Sequence, residues 1–274
     1  MPELPEVETI KRELRGKIRG QRIVGCSIQR EDIIAHPSAA AFCPSITGEQ
    51  IIDVKRNAKY LILQLSNNKR LMFHLRLSGT IVVSPPNATP ERFTRLAIQL
   101  SDYRLFFKEP RALGRVYLID GNEVVPNLKG FYRLGCEPIS DGFTFDYLKA
   151  KLKRRKARIK SLLLDQNICA GMGNIYSDEA LFRAGIRPMR RANRITDKEI
   201  QKLQRMLKDV ITDGIANFGT SVSDYKRTDG KEGSFQKVLH VYGREGEPCR
   251  KCGSKIVLKK IGNRGTRYCP KCQT

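Results

Sequence analysis

Hydrophobic positions repeat with different periods in the two halves of the chain. Near the N-terminus an apolar stripe with spacings of three and four predicts a helix from about Pro5 to Gly20; its members are Val7, Ile10, Leu14 and Ile18. From about residue 22 to residue 120 the period becomes two. In residues 70–77 the odd positions are apolar and the even ones mostly polar, which is typical of a half-buried strand. This half therefore predicts a β-rich sandwich or barrel with one leading helix.

After a Gly/Pro-containing connector at about 130–146, the pattern becomes helical. It predicts one helix from Tyr147 to Asp165, a glycine-bearing turn, a second helix from Asn174 to Ala184, and a third within Thr196 to Phe218. A helix pair joined by a tight glycine turn is a common DNA-docking unit. Residues 219–236 are rich in Gly, Ser and charge with almost no apolar anchor, so they predict a mobile loop.

The charge balance points to a polyanionic partner. The chain has 51 Lys+Arg against 28 Asp+Glu, a formal net charge of +23. Such a field concentrates phosphates, so we expect nucleic acid as the partner. No stretch of about 18 apolar residues occurs, and the acidic, proline-containing start differs from a signal peptide. We therefore expect a cytoplasmic protein with reduced thiols, in which the isolated Cys26, Cys43, Cys136 and Cys169 are small core residues. We also expect a monomer, because each domain has its own apolar pattern.

Four more cysteines have the spacing of a zinc ribbon. The pattern is Cys249-x2-Cys252-x16-Cys269-x2-Cys272, two CxxC knuckles that each hold the metal from one side. The alternative, two redox-active CxxC pairs, is disfavoured because no βαβ context surrounds them. We expect one structural Zn²⁺ and a hairpin with strands at 255–261 and 266–268. Arg264 would then be a basic finger at the tip of that hairpin.

Two further segments suit phosphate. Residues 151–160 hold seven basic side chains in ten positions, directly before the predicted helix pair. Such runs are usually solvated faces, but this position favours DNA steering. In residues 170–174, Gly171 and Gly173 precede a helix start, where exposed backbone N–H groups bind anions.

The N-terminal Met-Pro-Glu offers nucleophilic chemistry. Removal of Met1 would expose the secondary amine of Pro2, and an α-amine has a pKa of about 8, so a useful fraction is neutral at physiological pH. Attack on a sugar C1′ by this amine gives an iminium ion, which labilises the C2′ hydrogen and permits phosphate elimination. Glu3 would protonate the opened sugar and shuttle protons.

Four segments in order resemble the formamidopyrimidine-DNA glycosylases, bacterial enzymes that excise oxidised purines and cleave the abasic site. They are PELPEVETI at 2–10, LLLDQNICAGMGNIYSDEALFRAGI at 162–186, HVYGREGEPCRKCG at 240–253 and NRGTRYCPKCQ at 263–273. The resemblance runs end to end. It implies an α+β fold of two domains: an N-terminal β-sandwich with a leading helix, and a C-terminal helix-two-turn-helix plus four-cysteine zinc-finger hairpin. It also favours the purine branch, because Leu4 stands where enzymes for oxidised pyrimidines usually have glycine.

The resemblance implies a domain order and residue roles. We expect the catalytic domain at 1–132, a linker at 133–146, the helical DNA-binding domain at 147–237 and the zinc finger at 238–274. Pro2 would form the Schiff base, with Glu3 as catalytic acid and Glu6 supporting it. Phosphates around a flipped-out lesion would be held by Lys59, His74, Asn174, Tyr242 and Arg264. Arg111 would enter the vacated gap, and the 219–236 loop, with Thr220, Ser221, Val222, Ser223 and Tyr225, would cap the lesion.

The chain departs from the family pattern near the gap. Leu77 and Ser78 stand where a methionine and then a glutamate are common, and Leu113 replaces an aromatic wedge. Leu77, Arg111 and Leu113 can still fill the gap, because apolar wedges need not be aromatic. Two alternatives stay open: the same chemistry directed to oxidised pyrimidines or other lesions, and a damaged-DNA-binding protein without catalysis. Intact Pro2, Glu3 and Glu6 disfavour the second.

Leu113→Phe tests the aliphatic wedge. An aromatic ring stacks on a base, an interaction typically worth about 1–3 kcal/mol, so the substitution should raise the excision rate of 8-oxoguanine opposite cytosine. Single-turnover kinetics with a labelled duplex measure it. An unchanged rate would count against a role for this position in lesion capture.

Overall fold

The computed structural model describes residues 2–222 and 225–274. They divide into two compact units, one made of Met1–Lys129 with Asn217–Ser234 and the other of Gly130–Ala216 with Phe235–Thr274. Segment 217–234 thus packs with the N-terminal unit, whereas the domain boundaries inferred from the sequence remain a prediction. Within the described ranges, no helix is long and apolar enough to cross a membrane.

The first unit is a β-sandwich behind one leading helix. Its helices are α1 (Leu4–Ile18) and α2 (Ala39–Ile46), and its strands are β1 (Ile23–Ile28), β2 (Ile34–His36), β3 (Ile51–Asn57), β4 (Tyr60–Leu65), β5 (Lys69–His74), β6 (Thr80–Ser84), β7 (Thr94–Leu100), β8 (Arg104–Lys108) and β9 (Arg115–Asp120). One sheet has the order β1-β7-β8-β6 and the other β2-β9-β5-β4-β3. The predicted leading helix and sandwich are confirmed.

Helix α1 lies in the core of this unit and fixes the N-terminus. Val7, Ile10, Leu14 and Ile18 are fully buried, as the stripe predicts. Pro5 occupies the first turn, where its missing N–H costs nothing. Because the helix begins at Leu4, residues 2 and 3 directly precede a buried helix end.

The strand predicted as half-buried is covered on both faces. Leu71, Met72 and Phe73 are all fully buried in β5, which pairs with β4 on one side and β9 on the other. The alternation predicted one solvent-exposed face, and that is wrong at Met72, because Met72 lies between Ile62 of β4 and Tyr117 of β9 on a sheet face where all three side chains are buried. The strand ends at His74, so Leu75 to Leu77 belong to the turn that follows.

The second unit is helical and ends in the hairpin. It contains α3 (Lys129–Tyr132, which begins at the unit boundary), α4 (Phe145–Leu152), α5 (Ile159–Leu163), α6 (Asn174–Ala184) and α7 (Asp197–Ala216), then β10 (Val257–Ile261) and β11 (Arg264–Tyr268). The predicted helices at 174–184 and within 196–218 are confirmed.

The single helix predicted from Tyr147 to Asp165 is two helices. The chain between α4 and α5 pairs instead with a second loop: Ala192 N donates to Ala157 O at 2.9 Å, and Asn193 N to Arg155 O at 3.0 Å. These bonds satisfy backbone groups without a helix, and they spread the basic side chains of 153–158 over an extended, exposed segment. Hydrophobic spacing alone does not show this partner.

The turn of the hairpin is tighter than predicted. Ile261 pairs with Arg264, so only Gly262 and Asn263 form the turn, and Arg264 is the first residue of β11. Gly262 has a φ of 56°, which a two-residue hairpin turn requires and glycine adopts freely. Arg264 is exposed beside the turn rather than within it.

Cys26 and Cys43 form a disulfide, so the expectation that they are separate core thiols is wrong. They lie 17 residues apart in sequence, yet β1 and α2 bring their Cα atoms to 5.4 Å, within the range that a disulfide spans. Cys169 is buried and Cys136 partly buried, and neither forms a disulfide.

Two helix glycines should respond to alanine in opposite directions. A Cβ at Gly214 in α7 would lie 2.5 Å from Cε1 of the buried Tyr176 in α6. Gly214→Ala should therefore lower the free energy of unfolding by about 1–3 kcal/mol through overpacking. Gly16 in α1 has nothing within 4 Å of the same position, so Gly16→Ala should raise it by up to about 1 kcal/mol. Denaturant unfolding measures both, and a stabilising Gly214→Ala would contradict the packing.

Candidate active site and nucleic-acid interface

The N-terminal end of α1 holds two buried carboxylates beside a buried proline. Pro2 is buried, and Glu3 and Glu6 are each 1% exposed. The Glu3 N–H donates to Glu6 Oε2 at 2.8 Å. Glu6 thereby fixes the backbone that carries Pro2 and Glu3, so the structure brings these three predicted residues together.

The second oxygen of Glu6 holds the segment predicted to cap the lesion. Thr220 N donates to Glu6 Oε1 at 2.7 Å. Gly219 has a φ of +80°, and a Cβ there would lie 2.9 Å from both Glu6 Cγ and Oε1. A glycine is required because the backbone passes directly over the carboxylate. One side chain therefore links the N-terminus to the capping segment.

The capping segment has an apolar anchor that its composition did not indicate. Tyr225 is 3% exposed within the core of the first unit, and its hydroxyl donates to Phe218 O at 3.2 Å. Burial, with Glu6 and Glu13 nearby, raises the pKa of Tyr225 well above its usual value. The expectation of almost no apolar anchor is wrong, because Tyr225 and Phe235 are both buried.

Further bonds hold the same segment. Ser221 Oγ donates to Tyr225 O at 2.9 Å, and Thr228 N donates to Glu13 Oε2 at 3.0 Å. Val222, by contrast, is 48% exposed. Ser223 lies outside the described residues. Hydrogen bonds therefore hold the capping segment on both sides of the exposed Val222.

Lys59 follows a turn between β3 and β4 that hydrogen bonds from Arg56 stabilise. Arg56 donates to Glu8 Oε2 and to Ala58 O, each at 3.0 Å, and the side chains of Arg56 and Glu8 are both nearly buried. Burial alone would raise the pKa of Glu8, but bonds from Lys11, Arg56 and Arg12 outweigh it and lower the pKa. Helix α1 therefore positions the backbone next to Lys59 through an ion pair.

His74 is held as a neutral ring. Its ring packs edge-on against Tyr60, with centroids 4.5 Å apart, and Nδ1 accepts from Arg76 N at 3.2 Å. Burial, with the cations of Arg76 and Lys59, lowers the pKa of His74 to about 3. With Nδ1 as an acceptor, the proton of the neutral ring lies on Nε2.

A residue that the sequence did not indicate organises the gap-filling loop. Glu109 is fully buried, and its carboxylate accepts from the backbone N–H groups of Arg111, Leu113 and Gly114. The Ser78 hydroxyl also donates to it. Arg111 and the 42%-exposed Leu113 therefore project from a fixed loop. In the sequence, the only indication of this role is that Glu109 lies between an apolar strand and Pro110.

In the second unit, Asn174 begins α6 and contacts the hairpin. Its Nδ2 donates to Gly265 O at 3.0 Å. Lys160, fully buried, donates to Gly265 O at 3.2 Å and Thr266 Oγ1 at 3.0 Å, and pairs with Asp178 at 2.6 Å. The backbone next to Arg264 is therefore fixed by polar groups from α5 and α6. Lys160 was part of the predicted steering run, but its side chain faces the interior.

Tyr242 is positioned by a buried carboxylate of α6. Glu179, fully buried, accepts from the N–H groups of His240, Val241 and Tyr242 at 2.8–3.1 Å. Burial raises the pKa of Glu179, but its bonds with His240 and these N–H groups outweigh burial and lower it. Arg267 lies over the Tyr242 ring, 4.5 Å from its centroid.

The four predicted zinc ligands converge. The sulfurs of Cys249, Cys252, Cys269 and Cys272 lie within 4.8 Å of one another. The Cys249–Cys272 and Cys252–Cys269 sulfurs are 3.9 and 3.4 Å apart. Four thiolates at about 2.3 Å from a tetrahedral Zn²⁺ would be about 3.8 Å apart, so this donor set fits one zinc ion.

The chain combines a helix-turn-helix region, a hairpin with four convergent cysteines, and a β-sandwich with buried acids at its N-terminus. Together these features are typical of a DNA-binding repair enzyme. Three family models match in order: the formamidopyrimidine-DNA glycosylase N-terminal domain at 1–116, the H2TH domain at 134–226, and a zinc finger found in FPG and IleRS at 246–274. The chain belongs to the formamidopyrimidine-DNA glycosylase family.

Individual relatives agree over the full length. The chain is 44% identical to a formamidopyrimidine-DNA glycosylase of Pelotomaculum thermopropionicum, covering 100% of this chain and 99% of the relative. A Lactococcus lactis FPG mutant in complex with Fapy-dG DNA superimposes with a TM-score of 0.93 at 34% identity, with full coverage of both chains. The Thermus thermophilus MutM (FPG) protein gives 0.90 at 36%, covering 99% of this chain and 98% of that one. The predicted family, fold class, enzyme class and zinc are confirmed.

The depressed pKa of His74 predicts a pH effect on stability. Unfolded histidine titrates near 6.5, so below that pH the unfolded state binds the extra proton and the folded state does not. The free energy of unfolding should fall as the pH drops from 6.5 to 5, by at most about 1.4 kcal/mol per pH unit from this group. His74→Gln should have a shallower slope in denaturant unfolding. Parallel slopes would contradict the neutral, partly buried ring.

Proposed function

We propose that this protein removes oxidised purines, 8-oxoguanine and formamidopyrimidines, from duplex DNA and then cleaves the strand by β,δ-elimination. The observation that carries the proposal is the Glu6 bridge, which joins the backbone of Glu3 to Thr220 of the capping segment. A bifunctional enzyme needs its nucleophile, its acid and its lesion-capping element in one place. This arrangement supports that need.

Pro2 would supply the nucleophile once Met1 is removed. The amine nitrogen attacks C1′, the glycosidic bond breaks, and the base leaves with the bonding electrons and a proton. The C1′–O4′ bond then breaks as O4′ takes up a proton, and the resulting iminium ion carries the positive charge that makes C2′–H acidic. Loss of that proton expels the 3′ phosphate, and a second elimination expels the 5′ phosphate.

Glu3 would act as the acid that protonates the opening sugar. Its side chain is 1% exposed and precedes the first turn of α1, next to the nucleophile. Glu6 would hold this end of the helix rather than transfer protons, because both of its oxygens already accept backbone N–H groups. Lys59 would contribute a cation to the sugar–phosphate at the same site.

Other residues would hold the DNA and open it. His74 in the first unit, and Asn174, Tyr242 and Arg264 in the second, would bind phosphates around the lesion, which must leave the base stack to be cut. Leu77, Arg111 and Leu113 would fill the vacated space. Thr220, Ser221, Val222 and Tyr225 would belong to the cap, with Val222 as its exposed part; Ser223, outside the described residues, remains a prediction.

Zinc in this protein would be structural. The four thiolates leave no open coordination position, and the ion would hold the hairpin that carries Arg264. We further propose that the protein works as a monomer in the cytoplasm, on the DNA of the nucleoid. The alternative is an enzyme with the same chemistry whose substrate preference has shifted to oxidised pyrimidines or other lesions because of Leu77, Ser78 and Leu113.

Borohydride trapping tests the nucleophile and the substrate together. Met-processed protein is mixed with an 8-oxoguanine:cytosine duplex, reduced and run on a denaturing gel. We expect a covalent adduct that Pro2→Gly weakens or abolishes. Pro5→Ala changes a proline of the same turn without touching the amine, so it should keep the adduct.

The other results separate the alternatives. An adduct that forms only on an abasic or oxidised-pyrimidine duplex would leave the chemistry intact and move the specificity. No adduct on any of the three duplexes would favour the catalytically silent binding protein.

A further inference from the structure

Strained backbone in the first unit is concentrated at loops with proposed DNA contacts. Among the described residues, the non-glycine positions with positive φ are Ala58, Asn68, Arg76, Phe93, Ala112 and Phe218, with φ values of 50–68°. Ala58 precedes Lys59, Arg76 precedes Leu77, and Ala112 lies between Arg111 and Leu113. Phe218 precedes the capping segment. Non-glycine residues in this conformation are costly and persist mainly where function requires a particular loop shape.

Two of the six positions have no such assignment, and they differ in kind. Asn68 lies in the turn between β4 and β5, where asparagine adopts this conformation readily. Phe93 is a bulky aromatic residue with a φ of 68°, at the start of β7. Phe93 is the third residue of a hydrogen-bonded turn, in which Thr94 N donates to Glu91 O at 3.1 Å, and a positive φ at this position favours glycine. The turn explains the backbone conformation but not the choice of a bulky aromatic residue.

Phe93 is bonded to the loop that fills the gap. Glu109 N donates to Phe93 O at 2.9 Å. Arg95 donates to Glu109 O at 2.8 Å and to Pro110 O at 3.4 Å. Glu109 is the carboxylate whose bonds hold the loop of Arg111 and Leu113. Hydrogen bonds thus connect the backbone of Phe93 to the loop that carries Arg111 and Leu113.

The side chain of Phe93 has the surroundings of a nucleic-acid contact. The ring is 37% exposed, although an aromatic side chain would ordinarily be buried. Arg92 lies 4.5 Å from the ring centroid and Arg95 5.8 Å from it. The exposed part of such a ring can pack against a base or a deoxyribose, and the guanidinium groups that lie over the ring can neutralise the adjoining phosphates.

We propose that Phe93, with Arg92 and Arg95, contacts the DNA next to the vacated position and supplies the aromatic surface that the aliphatic Leu113 lacks. The ring would stack on the sugar–base edge beside the gap and hold the helix open while the lesion is outside it. Phe93 would then determine how well intact lesions are captured. This inference rests on the proposed function, because it concerns the same DNA.

Phe93→Gly separates this role from a structural one. Glycine adopts the positive φ without strain, so the variant should melt at a temperature no lower than the unmodified protein. Loss of one base–aromatic stack should slow single-turnover excision of 8-oxoguanine opposite cytosine about tenfold. Cleavage of a preformed abasic site, which needs no capture of an intact base, should change less than twofold. Leu113→Phe in the Phe93→Gly background should restore most of the excision rate.

Asn68→Gly is the matched control. It relieves a positive φ of 63° at a turn with no proposed DNA contact, so excision, abasic-site cleavage and melting should all stay unchanged. A Phe93→Gly variant that excises at the unmodified rate would overturn the inference. So would a variant that melts earlier and loses both activities in proportion, because that result identifies a purely structural phenylalanine.

A fluorescent readout keeps this test separate from the test of the proposed function. With 2-aminopurine next to the lesion, binding should increase the fluorescence as the neighbouring base unstacks, and Phe93→Gly should reduce that increase. This measurement needs no excision. If the unmodified protein excises neither 8-oxoguanine nor formamidopyrimidine, the proposed substrate is wrong, while an unchanged fluorescence increase in Phe93→Gly shows that Phe93 has no role.

Discussion

Buried carboxylates that accept backbone N–H groups are the constraint on which the functional loops of this protein depend. Glu6 binds the N–H groups of Glu3 and Thr220, Glu109 those of the gap-filling loop, and Glu179 those of residues 240–242. All three side chains are at most 1% exposed. A buried charge is costly unless hydrogen bonds satisfy it, so each loop must keep the shape that supplies its donors.

This arrangement suits a chain with a strong positive charge. A protein of net charge +23 attracts DNA phosphates, but exposed lysines and arginines alone give no fixed geometry. The buried carboxylates supply this geometry, because they bind the backbone and leave Arg111 and Val222 exposed and Tyr242 partly exposed. Lys160 acts in the same way with the opposite sign, since its buried ammonium holds the backbone next to Arg264.

Backbone strain and these anchors occur at the same places. Ala112, with a φ of 53°, lies within the loop that Glu109 holds, and Phe218 precedes the glycine that passes over Glu6. Strained conformations persist when surrounding bonds determine them. The aliphatic Leu113 belongs to the loop that Glu109 holds, and Phe93 O accepts a hydrogen bond from Glu109 N at the start of that loop. The loss of an aromatic side chain at Leu113 can therefore be offset by an aromatic side chain at a position that is hydrogen-bonded to the same loop.

The sequence by itself determined the fold class, the family, the zinc ligands and the N-terminal Pro2-Glu3 pair, because each depends on local spacing or a short motif. The period of the apolar stripe placed α1, and two CxxC pairs sixteen residues apart placed the metal. Only the tertiary structure decided the rest. The break between α4 and α5, the Cys26–Cys43 disulfide and the Tyr225 anchor all depend on partners far away in the chain. The roles of Glu109 and Glu179 were equally hidden, because an acid in a sequence does not show whether it faces water or the backbone of a distant loop.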